Sequence, residues 1–348
     1  MKKKVAIIGY GGQGAWHASW AQKSDVIELA GIFDIAEKRV TAAKNLGIKA
    51  YSSREELLND KSVDIVVCAT PNDVHKEIVI DALRAGKHVV CEKPVALSVA
   101  DFDDMCRVAA EENKIFTVHQ NRRYDVDYLA MQDIVNSGEI GDTVSIESRI
   151  HGSRGIPSDW RCHKPQGGGM ILDWGVHLID QMLRLIPEKI RSVHCDITNI
   201  TTNEVDDGFK LTLKFESGKR AYVEVGTYNF LPLPRFYMQC KNGTAVIDDW
   251  QKRCRVARLK AWCEKDVLPV QTAAGITKTM APRDELTLDF YEKERPTSDV
   301  HDYYRNLVLA IDGKADIFVK LPEVRRVLLV MESAFLSAQS GNTLSVDI

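Results

Sequence analysis

The segment from Val5 to Gly14 constrains the fold of this chain more than any other segment. An apolar run leads directly into Gly9, Gly11 and Gly14, spaced as G-x-G-x-x-G. This order is typical of a strand, a tight turn and a helix start. Gly9 permits the turn, Gly11 leaves room for a pyrophosphate against the backbone, and Gly14 lets the helix pack closely on the strand. The segment therefore predicts a dinucleotide-binding turn.

An acidic residue, Asp34, closes a second apolar run after this turn. Its carboxylate can accept hydrogen bonds from both ribose hydroxyls and would repel a 2′-phosphate, which favours NAD over NADP. Lys38 and Arg39 follow closely enough to weaken that preference, so NADP is not excluded. Gly12 and Gln13 complete the turn, whose free N–H groups at the helix N-terminus would bind the phosphates. The alternative is a glycine-rich turn of some other α/β protein.

Composition limits the class of protein. The 348 residues exceed the length of one typical core, so we predict two domains, residues 1–123 and 124–348. A formal net charge of -3 gives no reason to expect nucleic acid as a partner. Apolar runs stay below the roughly 20 residues of a membrane span, and no signal peptide is recognised, so we predict a cytoplasmic protein. Eight cysteines without CxxC or CxxH pairing predict neither a metal site nor a disulfide framework.

The first third of the chain alternates strand-like and helix-like segments. This pattern predicts an α/β fold with an N-terminal doubly wound parallel sheet, the Rossmann arrangement, whose ligands sit at the carboxyl ends of the strands. The predicted strands are Val5–Ile8, Ile27–Phe33, Val63–Ala69, His88–Cys91 and Ile115–Val118, and the predicted helices include Ala36–Leu46, Asp73–Ala85 and Val99–Glu112.

After residue 123 the pattern predicts a C-terminal α+β domain built on a mostly antiparallel open sheet. One exposed face of that sheet is a natural place for subunits to pair, so we expect a homodimer or homotetramer. The predicted elements are helices at Asp125–Ser137, Met170–Leu185, Val300–Ile311 and Pro322–Gln339, strands at Thr143–His151 and from Arg191 to about Lys260, and an irregular polar segment at Val267–Asp299.

Two groups of polar residues follow predicted strands of the first sheet. Thr70, Asn72 and His75 come after the third strand, where they can contact a cofactor, although Asn72 could equally cap the next helix. Lys93 comes after the fourth strand and would point its ammonium group into the cleft between the domains. There it could stabilise a developing alkoxide. The alternative is a surface lysine paired with Glu92.

A third group lies on the helix predicted after three consecutive glycines, Gly167 to Gly169. Asp173 and His177 are four positions apart and Asp180 follows three later, so all three would share one face of that helix. The residues between them are apolar, which predicts a buried helix. A charge on such a helix is costly unless it is ion-paired or has a function in the site. Histidine is the commonest general base, and Asp173 could orient it. The alternative is an Asp–His pair of the core.

These motifs together resemble the Gfo/Idh/MocA family, which is named after glucose-fructose oxidoreductase, inositol dehydrogenase and the rhizopine-catabolism oxidoreductases. The similarity spans nearly the whole chain. It includes the glycine fingerprint, the Thr-Pro-Asn turn with His75, the Glu92-Lys93-Pro94 motif and the GGG…DxGxHxxD helix. The segment that begins at His119 looks like the junction in the branch that includes scyllo-inositol dehydrogenases.

The resemblance implies roles for individual residues. It implies that His177 takes a hydroxyl proton while hydride leaves the same carbon for the nicotinamide of NAD. Lys93 would position the substrate oxygen, Asp173 would support the proton relay, and Asp180 would bind another hydroxyl. It further implies that the cofactor is lined by Asn72, His75, Glu92 and Asn121, that Trp160 and Arg161 enter the cleft, and that His151, Arg154 and Tyr237 are weaker candidates for substrate contact. Trp174 is larger than the residue that many members carry.

Three functions remain open at this point. The first is a dehydrogenase that acts on a secondary hydroxyl of a sugar, a sugar derivative or a cyclitol. The second is a redox-neutral glycosidase of the same family, which oxidises its substrate transiently. The third is a non-catalytic NAD-binding regulator, although a regulator would have no need of Lys93, Asp173 and His177.

Overall fold

The computed structural model describes residues 2–260, 268–283 and 285–348. Cys263, among the eight cysteines, and Val267, the start of the segment predicted to be irregular, lie outside the described residues.

Strands and helices alternate in the N-terminal part of the chain. The strands are β1 (Lys3–Ile8), β2 (Ile27–Phe33), β3 (Ile65–Cys68), β4 (His88–Cys91) and β5 (Phe116–Val118). The helices are α1 (Gly12–Lys23), α2 (Glu37–Asn45), α3 (Arg54–Asn59), α4 (His75–Arg84) and α5 (Val99–Glu111).

The five strands pair in parallel in the order β2-β1-β3-β4-β5, which confirms the predicted doubly wound sheet. Every residue of β3 is buried, as expected for a strand covered by helices on both faces. The strand order changes direction between β1 and β3, so a crevice opens there beyond the carboxyl ends of the strands. The glycine turn after β1 and the Thr70 turn after β3 lie on either side of this crevice.

The later strands and helices form a second body. Its strands are β6 (Thr143–His151), β7 (Ile190–Thr198), β8 (Gly208–Phe215), β9 (Arg220–Gly226), β10 (Phe236–Cys240), β11 (Gly243–Ile247), β12 (Cys254–Leu259), β13 (Val270–Thr272), β14 (Gly275–Thr277), β15 (Leu288–Lys293) and β16 (Leu344–Ser345). Its helices are α6 (Val126–Ser137), α7 (Val176–Leu185), α8 (Asp302–Ile311) and α9 (Leu321–Ser340).

Nine of the described strands form one sheet in the order β15-β12-β11-β10-β6-β9-β8-β7-β16, in which only β6 and β9 pair in parallel. The mostly antiparallel sheet is therefore confirmed. Along β6, Ile146 and Ser148 are buried on the face that carries α7, whereas Glu147 and Arg149 lie on the opposite face. This alternation leaves one face of the sheet without a helix in the described part of the chain.

The segment predicted to be irregular contains three strands. β13 and β14 form a separate hairpin, and β15 pairs antiparallel with β12 at the edge of the large sheet, from Leu288 opposite Leu259 to Lys293 opposite Cys254. The prediction was wrong here because β15 buries little apolar surface, so its pairing depends on backbone hydrogen bonds to an available strand edge.

The C-terminal helix α9 packs against both bodies. It lies on β7 of the large sheet and also contacts α5 and β5 of the first sheet. Glu332 on α9 accepts a hydrogen bond from the Val99 backbone N–H at 2.8 Å. The predicted boundary at residue 123 falls between β5 and α6 and stays a prediction. In the described ranges, no helix has the length and apolar character that crossing a bilayer requires.

Candidate active site

The turn between β1 and α1 has the geometry of a phosphate cradle. Gly9 has a φ of +92°, and a Cβ there would lie 2.6 Å from the Ala69 carbonyl oxygen. A Cβ at Gly14 would lie 1.8 Å from the Gly9 carbonyl oxygen, so only glycine lets α1 start this close to β1. A Cβ at Gly12 would meet nothing within 4 Å, and Gln13 is exposed. The first turn of α1 carries no acidic residue and no side-chain cap, which leaves its N–H groups for an anion.

Asp34 and Arg39 lie beside this cradle. The two oxygens of Asp34 accept hydrogen bonds from the backbone N–H groups of Tyr10 at 2.6 Å and Ala36 at 2.8 Å, and each oxygen keeps a lone pair. Arg39 Nη1 donates to the Tyr10 carbonyl at 3.1 Å, and a Cβ at Gly11 would lie 3.1 Å from the same Nη1. A carboxylate suits ribose hydroxyls and a cation suits a 2′-phosphate, so the residues present fit NAD and NADP.

Asn72 and His75 connect the loops at the edge of the cleft. Asn72 is 4% exposed, and its Nδ2 donates to the Gly167 carbonyl at 3.0 Å. The buried ring of His75 places Nε2 3.0 Å from the Thr70 carbonyl oxygen and Nδ1 3.1 Å from that of Pro94. Both side chains thus hold the loops after β3 and β4 and the glycine loop together. Their contact with a cofactor, and that of Thr70, stays a prediction.

Glu92 is the centre of a buried network. Its Oε1 accepts hydrogen bonds from His17 Nε2 and His119 Nδ1, both at 2.8 Å, and its Oε2 accepts one from the Lys93 backbone N–H at 3.2 Å. Burial opposes its ionisation, but His119 and His17 hold the pKa of Glu92 well below its ordinary value. Because His17 donates to Glu92 from Nε2, its Nδ1 carries no proton and accepts a hydrogen bond from the Tyr304 hydroxyl at 2.6 Å. Glu92 therefore fixes the backbone of Lys93, and its carboxylate is occupied within the chain.

Two buried groups bring metal-binding atom types within 4.8 Å of one another. In one group, Glu92 already accepts hydrogen bonds from both rings, and in the other the His75 ring already contacts two carbonyl oxygens. We therefore assign no metal to either group. The groups are His17, Glu92 and His119, and Cys68, His75 and Cys91.

Lys93 extends from the loop after β4 to Asp173. Its Nζ donates to the Asp173 carbonyl at 2.9 Å and to Oδ1 at 3.2 Å, while Arg161 Nε donates to Oδ2 at 3.1 Å. The Arg161 guanidinium lies 4.5 Å from the ring centroid of Trp160. Burial alone would raise the pKa of Asp173, but the charges of Lys93 and Arg161 hold it below its ordinary value. Asp173 thus binds Lys93 and Arg161, and it makes no hydrogen bond to His177 among the described contacts.

The segment Ile171–Gly175 is a π-helical turn that continues into α7, where the sequence predicted a regular helix. Such turns are frequent at functional sites. His177 follows it and is 4% exposed, and its buried Nδ1 has no hydrogen-bond partner in the described part of the chain. Burial, together with the charges of Lys93 and Arg122, holds the pKa of His177 well below its ordinary value. The imidazole is therefore neutral at neutral pH and can accept a proton.

The glycines before the π-helical turn allow close backbone contacts. A Cβ at Gly168 would lie 2.3 Å from the Arg161 carbonyl oxygen, and one at Gly169 would lie 2.1 Å from Asp206 Oδ1. Asp206 Oδ2 accepts a hydrogen bond from the Ile171 N–H at 2.7 Å, at the start of the turn. Burial raises the pKa of Asp206 to about 7.

Asp180 does not face the cleft as a free substrate ligand. Its oxygens accept hydrogen bonds from Arg123 Nε at 2.7 Å and Nη2 at 2.6 Å, and the two side chains are 3% and 0% exposed. Arg123 Nη1 also donates to Glu323 on α9 at 2.7 Å. Helix periodicity placed Asp180 correctly on α7 but could not show that an arginine of another segment occupies its carboxylate.

The weaker substrate candidates also lie elsewhere. His151 and Tyr237 lie on the face of the large sheet opposite α7, where His151 Nε2 is 3.5 Å from Glu224. Arg154 is exposed in the loop after β6. The strand positions were predicted correctly, but an alternating strand does not by itself reveal which of its faces meets the cleft.

Three cleft residues were not identified from the sequence. Gln120, which follows β5, is 1% exposed, and within the described ranges neither its amide atoms nor the Oδ1 of Asn121 have a hydrogen-bond partner. Arg122 lies with its guanidinium carbon 4.1 Å from the ring centroid of Trp174 and 5.2 Å from that of Trp250. The position of Gln120 and Arg122 after a strand was an available signal. Trp250 comes from the loop after β11 and carried no local signal.

Comparisons with known proteins agree with this geometry. Residues 3–120 match the oxidoreductase family with an NAD-binding Rossmann fold, GFO_IDH_MocA, and residues 128–246 match the GFO/IDH/MocA C-terminal domain. A solved structure, an NAD-binding protein from Listeria innocua, is 41% identical with a TM-score of 0.96 and covers 99% of each chain.

Two curated relatives are less similar in sequence than that solved structure. The chain is 26% identical over 354 aligned positions to the scyllo-inositol 2-dehydrogenase (NADP(+)) of Bacillus subtilis, which covers 99% of this chain and 96% of that protein. It spans about half the length of an uncharacterized oxidoreductase of Schizosaccharomyces pombe, with 34% identity over 188 residues that cover 51% of each protein. The glycine cradle, the Lys93–Asp173 pair and both matched domains establish that the chain belongs to the Gfo/Idh/MocA family of oxidoreductases.

Proposed function

We propose that this protein is an NAD(P)-dependent dehydrogenase that oxidises a secondary hydroxyl of a sugar, a sugar derivative or a cyclitol. One observation carries the proposal: Lys93, at the strand edge that also carries the glycine cradle, donates to Asp173, and its charge acts on the buried His177 four positions further along the same helical segment. The similarity to a scyllo-inositol 2-dehydrogenase supports a polyol as the substrate.

In the proposed reaction, the substrate gives up a hydride and a proton to two different acceptors. The bound nicotinamide supplies the hydride acceptor. The substrate O–H bond breaks as His177 takes its proton at Nε2, because Nδ1 is buried, and the C–H electron pair leaves with the hydride. A hydroxyl thereby becomes a carbonyl with atoms and electrons in balance.

Lys93 stabilises the negative charge that develops on the substrate oxygen. Its ammonium is held by Asp173 at 3.2 Å, which fixes its position. A unit charge about 4 Å from the developing alkoxide contributes about 4 kcal/mol at an effective dielectric constant of ~20. Losing it therefore slows the reaction by about a thousand-fold.

The test is NADH formation with inositols, aldoses, sugar acids and glycosides, using wild type, Lys93→Met and His177→Asn. Both variants should lose about a hundred- to ten-thousand-fold in kcat while binding NAD as wild type does in a thermal-shift assay. Lys241→Met, in the exposed turn between β10 and β11, and His194→Asn, at a partly exposed position of β7, are matched controls. Equal turnover in Lys93→Met and wild type would refute the mechanism. Release of an aglycone without net NADH would indicate the glycosidase instead.

We further propose that the chain acts in the cytoplasm as a homodimer or homotetramer. The loop after β9 exposes apolar side chains at its surface, with Phe230 71% and Leu231 88% exposed, next to the face of the large sheet that carries no helix among the described residues. Light scattering after size-exclusion chromatography should give at least twice the mass of one chain, and a monomer would refute this.

A further inference from the structure

The consecutive residues Arg122 and Arg123 have very different surroundings. The Arg123 side chain is 0% exposed, and all three of its nitrogens donate to oxygens of Asp180, Glu323 or Phe318. Arg122 is 27% exposed and makes one side-chain hydrogen bond, from Nη1 to Asp125 Oδ2 at 3.0 Å. Its Nε is buried and has no hydrogen-bond partner among the residues that the structure describes. Arg123 therefore has a structural role. Arg122, in contrast, has N–H donors that no group of the described chain uses.

Two tryptophan rings hold the Arg122 guanidinium in place. Its central carbon lies 4.1 Å from the Trp174 centroid and 5.2 Å from the Trp250 centroid, and the two rings are 5.7 Å apart. Stacking on aromatic faces fixes the plane of a guanidinium and leaves its N–H edges for ligands in that plane.

This cation borders the proposed reaction centre. Trp174 lies directly between Asp173 and Gly175 of the π-helical turn, and its ring is 5.9 Å from the His177 ring. The Trp250 side chain is partly exposed, so the indole faces can pack against the C–H surface of a ring-shaped substrate. The wall beside His177 thus combines two apolar faces with one oriented cation.

We infer that Arg122, oriented by Trp174 and Trp250, binds a carboxylate of the substrate, so that the preferred substrates are acidic sugars rather than neutral polyols. This inference rests on the proposed dehydrogenase function and specifies its substrate class. The planar N–H fork matches a carboxylate geometrically. A single cation that already shares its charge with Asp125 suits a monoanion better than a phosphate dianion.

The inference explains why Trp174 is large. A small residue at position 174 would leave the guanidinium free to rotate, and ordering it on binding would reduce affinity. It also assigns a role to Trp250, which reaches the cleft from the loop after β11.

The test compares matched substrates that differ at one carbon: glucuronate with glucose, and galacturonate with galactose. We expect wild type to show a kcat/KM for at least one acid about 10- to 100-fold above that for its neutral partner, the range expected for a charge-assisted hydrogen-bonded pair. In Arg122→Gln this ratio should fall to near one, mainly through KM. Arg122→Lys, which keeps the charge but not the planar fork, should give an intermediate ratio. Glucose 6-phosphate is included to detect a phosphate preference.

Each outcome decides the inference. A wild-type ratio near one, a ratio unchanged in Arg122→Gln, or a preference for glucose 6-phosphate would overturn it, while NADH formed from a neutral polyol would leave the proposed dehydrogenase intact. If neither acids nor neutral polyols give NADH although NAD binds, the proposed function fails and the inference fails with it. Melting temperatures of both variants, measured without substrate, separate a folding defect from a loss of selectivity.

Discussion

Replacing Asp180 by alanine removes one partner of a buried ion pair and leaves Arg123 with an unmatched charge. Arg123 is 0% exposed, and two of its nitrogens donate to Asp180 at 2.6 and 2.7 Å. Removing one side of such a pair costs about 3–5 kcal/mol, because the remaining ion stays out of water. Glu323, which accepts from Arg123 at 2.7 Å, compensates in part, so the lower end of this range is expected.

This free energy translates into a measurable shift in melting temperature. With an unfolding entropy of about 2.1 cal/mol/K per residue, a 348-residue chain that unfolds as one unit has about 0.7 kcal/mol/K. At the lower end of the range, about 3 kcal/mol, Asp180→Ala should therefore lower Tm by about 4 °C. Differential scanning calorimetry measures this directly, and KM for a polyol should change little in the folded variant.

The double variant Arg123→Met/Asp180→Leu is the control. Replacing both partners by apolar residues removes the unpaired charge, so its Tm should recover toward that of wild type, giving strong non-additivity in the double-mutant cycle. A Tm of Asp180→Ala equal to that of wild type, together with a KM raised tenfold or more, would refute the structural role. That result would restore Asp180 as a substrate ligand.

Three further outcomes follow from the geometry. Gly14→Ala should unfold the cradle and abolish NAD binding, because its Cβ would lie 1.8 Å from the Gly9 oxygen, whereas Gly12→Ala should keep the wild-type Tm without cofactor. The raised pKa of Asp206, about 7, means that wild type loses stability as pH rises from about 4 to 7. Urea unfolding should therefore show Asp206→Asn gaining up to about 4 kcal/mol relative to wild type between pH 4 and 8, and a pH-independent difference would contradict this. Because the pKa of His177 is held well below its ordinary value, kcat/KM should stay constant as pH falls through 6.5, and a decline centred there would contradict the assignment.

The first sheet could be predicted almost to its residue bounds. Strands β2 and β4 begin and end where the predicted runs do, because turns interrupt both; β4 is buried from Val89 to Cys91, whereas the edge strand β2 keeps Glu28 exposed. Gly9, Gly14 and Asp34 could likewise be identified, since a turn that approaches a phosphate depends on local backbone geometry.

The sequence by itself determined the first sheet, most elements of the second body, the glycine cradle and the residue types of the proposed reaction centre, but not the strands β13 to β15 or the π-helical turn. Only the tertiary structure decided which charges meet. Asp173 binds Lys93, 80 positions away, and Asp180 binds Arg123, 57 positions away. Helix periodicity specifies the face of a side chain but not its partner on another segment. Because the free energy of a buried charge depends on that partner, the distinction between Asp173, proposed to be catalytic, and Asp180, paired within the fold, arises only when the chain is folded.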